Sequence, residues 1–106
     1  MPLIDLDALK ALIPVALVFE LVGYEPTRRR GDEARGPCPL NQCRDRYQRC
    51  FRVNLITGLY ICYRCDARGN ALQLYAALTR QPLYEACLEL CNRLSLTPPL
   101  SPRAGA

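Results

Sequence analysis

Seven cysteines are the residues of this 106-residue chain whose types and spacing could support chemistry. Cys62 and Cys65 form a Cys-x-x-Cys pair, which at a β-turn places two sulfurs on one edge of a tetrahedron. A second pair, Cys38 and Cys43, lies upstream of them, across the segment 44–61. Zinc prefers four soft or borderline ligands at tetrahedral corners. The spacing therefore predicts one zinc ion bound by these four cysteines.

Different roles are expected for the other three cysteines. Cys50 is a competing candidate ligand, but it begins a predicted strand on which alternation places it opposite Phe51. Cys87 and Cys91 lie four residues apart on the apolar face of a predicted helix, where buried thiols pack as small hydrophobes. The chain contains no histidine that could complete a second site. A fully occupied four-cysteine site leaves no open position for water or substrate, so the zinc is expected to be structural.

The compartment decides whether clustered cysteines form metal sites or disulfides. The first ten residues carry two aspartates and one lysine, which is not typical of a secretory signal. The apolar stretch 11–22 is interrupted by Pro14 and Glu20 and is shorter than the roughly 20 residues that span a bilayer. These features predict a soluble, cytoplasmic protein without a membrane partner, in which thiols serve as metal ligands.

The charge is concentrated around the cysteines. Between Arg28 and Arg68 there are ten arginines against four acidic residues, a formal charge of +6, whereas the flanks carry four basic and six acidic residues, −2. A basic central segment favours an anionic partner.

Helical patterns flank this basic segment. Leucines recur at helical spacing from Leu3 to Leu12, with Asp5 as a cap, and predict a first helix. Pro14 suits the first turn of a second helix, which Gly23 ends. After Gly69, apolar residues at helical spacing predict two closing helices, over Ala71–Leu78 and Pro82–Leu94.

Strand patterns occupy the middle of the chain. A β-hairpin with a turn near Gly31-Asp32 is predicted between Tyr24 and Pro37, followed by a polar loop 44–49. Residues 50–55 alternate as a strand, Thr57-Gly58 makes a tight turn, and residues 59–62 return. This second hairpin can bring the two cysteine pairs together. The predicted fold is a small α+β zinc ribbon of antiparallel hairpins between helices, one domain over 1–96, with a proline-rich, disordered tail over 97–106.

Four motifs in this order are characteristic of a known family. They are Cys38-Pro39-Leu40-Asn41, Cys50-Phe51-Arg52-Val53, Leu59-Tyr60-Ile61-Cys62-Tyr63-Arg64-Cys65 and Gly69-Asn70. Together they resemble the N-terminal zinc-binding domain of bacterial DnaG-type primases, a CHCC-type zinc finger. The resemblance covers about Ile13 to Leu96.

Two departures from the family pattern qualify what the resemblance implies. Asn41 stands at the family's histidine, so Cys43 is expected to replace that ligand and make the site all-cysteine. Cys50 stands at the family's serine, which favours a non-ligand. A primase also needs a catalytic domain with clustered carboxylates that hold Mg²⁺, and this chain is too short to contain one. The resemblance therefore implies a template-binding module without polymerase activity.

The resemblance also implies contact with single-stranded DNA. Arginines bind phosphates and aromatic rings stack on bases, which makes Arg52, Arg64 and Arg68 with Tyr60 and Tyr63 the candidate contacts. Tyr60 is expected to face outward because it alternates with its two apolar neighbours on the strand. The alternative without DNA binding is that Tyr60 covers the zinc knuckle and that the arginines form a solvated face.

The three consecutive arginines 28–30 have two equally supported roles. They either keep the end of the hairpin soluble or bind phosphate groups. The leading hypothesis is a non-catalytic zinc-ribbon protein that engages single-stranded DNA for a separate replication, primase or mobile-element enzyme. The alternatives are an adaptor that docks a larger protein, and the head of a longer primase.

Overall fold

The computed structural model describes residues 4–40, 43 and 50–99. Its first helix, α1, spans Leu6–Leu12, and the Asp5 carboxylate caps it by accepting a hydrogen bond from the Ala8 N–H at 3.1 Å. Leu9 is fully buried and anchors this helix to the core. Leu3, part of the predicted apolar stripe, lies outside the described residues.

The second helix, α2, spans Val15–Val22 directly after Pro14. Gly23 ends it in the left-handed conformation at φ 73°, which glycine adopts without a Cβ penalty. Val15, Val18 and Phe19 are its buried residues. The predicted boundaries of this helix are therefore confirmed.

An antiparallel sheet of five strands, in which strand order follows chain order, forms the middle of the molecule. A turn at Gly31-Asp32 joins the first two strands, as the sequence predicts. The fifth strand, two residues long, is not predicted from the sequence. The strands are β1 (Arg28–Arg30), β2 (Glu33–Gly36), β3 (Phe51–Asn54), β4 (Tyr60–Cys62) and β5 (Arg68–Gly69).

The two faces of the sheet differ in burial. On the inner face, alternate residues of β2, β3 and β4 are buried and pack into the core: Ala34, Phe51, Val53, Tyr60 and Cys62. The outer face carries the residues between them, which are half-buried or exposed. This alternation is the period of two that a half-buried strand requires.

The expectation that Tyr60 faces outward is wrong. Tyr60 is 6% exposed, and its ring stacks on that of Phe51 with the centroids 5.5 Å apart. The cause is the register: Tyr60 pairs with Val53, which lies on the buried face of β3. Ile61 takes the outer position instead.

Two helices close the fold. Helix α3 spans Ala71–Thr79 and α4 spans Leu83–Arg93. Asn70 and Gln73 cap α3 reciprocally, each side chain accepting a hydrogen bond from the backbone N–H of the other. Leu72, Leu74, Tyr75, Leu90 and both cysteines of α4 are buried, so the prediction that Cys87 and Cys91 face inward is confirmed.

The two ends of the described chain meet. The Asp5 N–H donates a hydrogen bond to the Pro99 carbonyl at 2.8 Å, so the first part of the predicted tail lies beside α1. The rest of that tail, residues 100–106, and the predicted polar loop 44–49 lie outside the described residues. Over the ranges that are described, no helix is long and apolar enough to cross a membrane.

Candidate metal centre

The sheet positions three of the four cysteines predicted to bind zinc. Cys38 follows β2, Cys62 is the last residue of β4, and Cys65 lies in the turn that follows. Cys43 is held by a hydrogen bond from its N–H to the Leu40 carbonyl at 3.1 Å, which ties it to the segment after Cys38.

The turn after β4 is a knuckle around the Cys62 sulfur. The Cys65 N–H donates to Cys62 Sγ at 3.4 Å, and the Asp66 N–H donates to the Cys62 carbonyl at 2.9 Å. Asp66 has a φ of 60°, in the left-handed region that aspartate tolerates better than most residues. The chain thereby turns back and holds both sulfurs of the Cys-x-x-Cys pair on one side.

The four sulfurs fit a tetrahedral zinc ion. The Sγ atoms of Cys38, Cys43, Cys62 and Cys65 all lie within 4.8 Å of one another. Cys38 Sγ is 3.9 Å from Cys65 Sγ, and Cys43 Sγ is 3.7 Å from Cys62 Sγ. A tetrahedron with Zn–S bonds of about 2.3 Å has an S–S edge of about 3.8 Å. The four cysteines are therefore positioned to bind one zinc ion.

Cys38, Cys43 and Cys62 are buried, Cys65 is half-buried, and the thiols of Cys38 and Cys62 differ in pKa. Burial raises the pKa of the Cys38 thiol well above its ordinary value. Burial also opposes the thiolate of Cys62, but backbone N–H groups of Cys65 and Arg64 outweigh it and lower the Cys62 pKa to about 7. The lowered pKa of Cys62 favours its thiolate, the form that binds metal.

A fifth thiol lies against this cluster. Cys50 immediately precedes β3, which begins one residue later than predicted. It is 5% exposed, and its side chain lies beside those of Cys62 and Cys43 and near the backbone N–H of Cys38. Burial raises the pKa of its thiol. Cys50 is not one of the four sulfurs that lie within 4.8 Å of one another.

Comparison with protein families decides the classification. The model of the CHC2 zinc finger, the zinc ribbon of DnaG, matches residues 4–104. The chain belongs to the CHC2 zinc finger family. The resemblance inferred from the four motifs is therefore confirmed, and the cofactor of this zinc finger is one zinc ion.

The relatives of this CHC2 zinc finger are longer proteins. It is 25% identical to a DNA primase of Helicobacter pylori (strain J99) over 87 residues, 82% of this chain and 15% of the primase. It is 28% identical to a DNA primase of Synechocystis over 80 residues, 74% of this chain and 12% of that primase. The zinc finger described here thus matches only a small part of each relative.

A solved structure has the same fold. The crystal structure of the Aquifex aeolicus primase, with zinc-binding and RNA polymerase domains, superposes with a TM-score of 0.72 at 23% identity. The match covers 90% of this chain and 22% of that one. The predicted fold class, an antiparallel zinc ribbon flanked by helices, is confirmed.

The residues predicted to contact nucleic acid are only partly brought together. Arg52 and Tyr63 meet on the outer face, where Arg52 Nη1 donates to the Tyr63 hydroxyl at 3.3 Å and the tyrosine is 59% exposed. Arg68 lies on β5, two strands from Arg52, and pairs with Asp66. Arg64 lies exposed in the knuckle turn. The buried Tyr60 offers no ring face to a base.

The register aligns further arginines that the sequence interpretation missed. Residues paired across all five strands form one transverse row on the outer face, and four of the five are arginines. From β1 to β5 the row reads Arg28, Arg35, Arg52, Ile61 and Arg68. The signal that could have found it is the two-residue period that puts Arg28 and Arg30 on one face of β1 and Arg29 on the other. We call this row the arginine row.

One carboxylate organises the arginine row. Glu33 Oε1 accepts from Arg35 Nε at 2.6 Å, and its Oε2 pairs with Arg52 Nη2 at 2.7 Å. These hydrogen bonds, first that of Arg35, hold the pKa of the Glu33 carboxyl below its usual range. Arg30 lies beside Glu33 in the register, and Arg28, Arg30 and Arg35 line a concavity of about 340 Å³ with it. Among the described residues, the outer face therefore carries five arginines, of which Arg35 and Arg52 pair with Glu33 and Arg68 pairs with Asp66.

A groove adjoins the arginine row on the same face. It has a volume of about 520 Å³, and its lining includes Arg52, Arg68, Leu59, Ile61 and Tyr63. The two aliphatic side chains and the exposed ring form its apolar part, and the two arginines supply positive charge beside the Glu33 carboxylate. Flat apolar surface beside cationic side chains is the combination that stacks bases and holds phosphates.

Proposed function

We propose that the outer face of the sheet binds single-stranded DNA and presents it to a larger primase, replication or mobile-element enzyme. The observation that carries this proposal is the arginine row with the exposed ring of Tyr63 beside it. The membership in a zinc-finger family of primases supports DNA as the anionic partner.

The dimensions of the face suit a strand of a few nucleotides. Neighbouring strands of a sheet lie about 4.8 Å apart, so a row that crosses five strands is about 19 Å long. Arginines at four of its five positions can follow successive phosphates, and bases can turn toward the groove floor at Ile61 and Tyr63. Of the contacts predicted from the sequence, we retain Arg52, Tyr63, Arg64 and Arg68, and we replace Tyr60 by Arg28, Arg30 and Arg35.

The role proposed for the zinc ion is structural. With Cys38, Cys43, Cys62 and Cys65 as ligands, protein sulfur occupies every tetrahedral position and none is open to substrate. The ion then joins the end of β2 to the end of β4 and so fixes the register of the arginine row.

We infer that the chain itself is not catalytic. Among the residues described, the cysteine cluster is the one group of three or more metal-ligating side chains that lie close together, and no comparable carboxylate group accompanies it. A primase-type partner would supply the carboxylates that hold Mg²⁺. We propose a cytoplasmic location for the protein, where clustered thiols serve as metal ligands.

An adaptor function is the second candidate, and one observation favours it. Ile56 is 74% exposed and Leu59 is 56% exposed in the turn between β3 and β4. Two exposed aliphatic side chains on one turn are suited to docking against a larger protein. Binding through such a surface would depend little on salt, whereas phosphate binding weakens steeply as salt rises.

The deciding experiment is a titration of fluorescent single-stranded DNA with zinc-loaded protein at several salt concentrations. Arg52→Gln and Arg68→Gln should weaken binding, and each should lower the salt slope by about 0.7 if its phosphate contact is lost. Tyr63→Ala should reduce affinity about 5- to 150-fold, the effect of losing one stacked base at 1–3 kcal/mol, while Tyr63→Phe should retain it.

Arg29→Gln is the matched control, because Arg29 belongs to β1 but lies on the opposite face, beside Ala34. Arg28→Gln removes the same charge from the arginine row. Loss of affinity in Arg28→Gln with full affinity in Arg29→Gln supports the proposed face. Equal effects of the two, or no binding by the zinc-loaded protein, would refute it and favour the adaptor function.

A further inference from the structure

Five cysteines surround a site that needs four, and the fifth, Cys50, is held by the strand and turn that carry Cys62. The Cys50 carbonyl accepts a hydrogen bond from the Tyr63 N–H at 2.8 Å. The next pair in the register joins Phe51 to Cys62. The backbone of Cys50 is therefore fixed to the strand that carries Cys62.

The side chain of Cys50 is enclosed with the cluster. It is 5% exposed, and Cys43 and Cys62, whose sulfurs it neighbours, are 1% and 0% exposed. A change of χ1 between staggered rotamers moves a cysteine sulfur by about 3 Å. A movement of this size is what the Cys50 thiol, which interacts with the Cys43 side chain, would use to approach the corner that Cys43 occupies.

We propose that Cys50 is a reserve zinc ligand that takes the corner of Cys43 whenever Cys43 is absent or chemically blocked. The inference goes beyond DNA binding and rests on the four-cysteine ligand set. In the intact chain the exchange would break the Cys43 Zn–S bond and form the Cys50 Zn–S bond, while the Cys50 proton passes to the Cys43 sulfur. The charge of the site stays the same, and no oxidant or reductant is needed.

The four original ligands would not be equally replaceable. Cys62 Sγ accepts a hydrogen bond from the backbone N–H of Cys65, so losing the Cys62 sulfur also removes this bond of the knuckle. Cys43, by contrast, has the Cys50 thiol beside it, which can replace it as a ligand under this proposal. The proposal therefore predicts tolerance of a lost ligand at Cys43, with Cys62→Ser as the variant that tests the ligand set itself.

The test compares Cys43→Ser with the double variants Cys43→Ser/Cys50→Ser and Cys43→Ser/Cys87→Ser. The last is a matched control, because it removes a buried thiol from α4. Each protein is loaded with zinc for competition against a chelator, and with Co²⁺ for the sulfur-to-metal charge-transfer band, whose intensity follows the number of bound thiolates.

Cys43→Ser and its Cys87 control should bind one metal ion with a four-thiolate cobalt spectrum. The Cys50 double variant should give a three-thiolate spectrum and bind zinc at least about tenfold more weakly. Cys50→Ser alone should keep four thiolates and wild-type affinity. A three-thiolate spectrum in Cys43→Ser, or loss of zinc from Cys50→Ser alone, would overturn the proposal.

A second measurement covers the case in which Cys43→Ser does not fold. Zinc-loaded wild-type protein and Cys50→Ser are treated with limiting alkylating reagent and analysed by native mass spectrometry with site mapping. Molecules alkylated at Cys43 should keep zinc in the wild type and lose it in Cys50→Ser. Equal retention, or equal loss, in the two proteins would contradict a reserve ligand.

Discussion

The Cys62 sulfur accepts hydrogen bonds from the knuckle backbone and neighbours three other sulfurs of the cluster. A residue with this many partners cannot be replaced by a neighbour, because any substitute sulfur would lack the knuckle N–H groups. The ligand set is therefore tested most directly at this position.

Cys62→Ser should abolish stoichiometric zinc binding and unfold the middle of the chain, since metal binding and folding are coupled in small zinc ribbons. Zinc content and circular dichroism measure both effects. Cys87→Ser is the control, because it changes a buried thiol of α4 and should retain one zinc per chain. Stoichiometric zinc in the Cys62 variant would exclude the proposed ligand set.

Single residues show where sequence patterns succeed and where they fail. The spacing of Cys62 and Cys65 is enough to predict a shared site, because a knuckle is local. The burial of Tyr60 and the position of Cys50 are not local, since both depend on where β3 starts and which residue of β4 faces Val53. A shift of one residue in a strand exchanges its two faces.

At the scale of elements, β2 is held close to the segment before it by a glycine. A Cβ at Gly36 would lie 2.6 Å from the Tyr24 hydroxyl oxygen and 3.1 Å from the Thr27 nitrogen. That hydroxyl donates to the Pro37 carbonyl at 2.7 Å, one residue before the first zinc ligand. The end of β2 is therefore fixed by a contact that only glycine permits.

Gly36→Ala should lower the free energy of unfolding by about 1–3 kcal/mol, the usual effect of overpacking. Urea unfolding of zinc-loaded protein measures it. Tyr24→Phe removes the nearest atom, so Gly36→Ala should be less destabilising in the Tyr24→Phe background than in the wild type. Equal stability of Gly36→Ala and wild type would show that the contact relaxes freely.

A carboxylate links the two closing helices. The Tyr75 hydroxyl on α3 donates to Glu89 on α4, and Gln81 Nε2 donates to the other carboxylate oxygen at 2.5 Å. These two hydrogen bonds, that of Tyr75 first, lower the pKa of the Glu89 carboxyl. Because the folded pKa is below the unfolded one, the carboxylate stabilises the fold above the unfolded value, about 4.3, and loses this effect as the pH falls through the folded value.

Glu89→Gln should therefore be less stable than the wild type at pH 7, and the difference should shrink as the pH falls below about 4.3. Urea unfolding of both proteins at matched pH values gives this difference, in which the shared loss of zinc at acid pH cancels to first order. Glu20→Gln, on the exposed side of α2, is the surface control. A difference that does not change with pH would contradict the linkage.

The elements themselves were largely predictable, and the exceptions have physical causes. Asp5, Pro14, Gly23 and the hairpin turn at Gly31-Asp32 are local signals, and each marks the boundary that the structure has. β5 has only two residues and carries no pattern of its own; it exists because the knuckle returns the chain to β4. The arginine row likewise requires the register between strands, which composition does not contain.

At the scale of the whole molecule, zinc connects the two halves of the sheet that carry the arginine row. Removal of zinc by a chelator should unfold the sheet and abolish single-stranded DNA binding, because the arginines would lose their common face. Near-ultraviolet circular dichroism and DNA titration measure the two losses. Added zinc should restore both; a metal-free protein that still binds DNA with wild-type affinity would show that the fold does not position the binding residues.

The strand order that follows the chain order has a consequence for how fast the molecule assembles. Each strand pairs with its neighbour in sequence, so the β1–β2, β3–β4 and β4–β5 pairings close short loops, while the β2–β3 pairing spans residues 37–50. The entropy of loop closure rises only slowly with loop length. Sheets built this way have a low contact order and fold quickly. The thiol contact from Cys38 to Cys65, by contrast, spans 27 residues. The hairpins should therefore form transiently in the metal-free chain. Zinc should then stabilise strand pairings that this chain already populates.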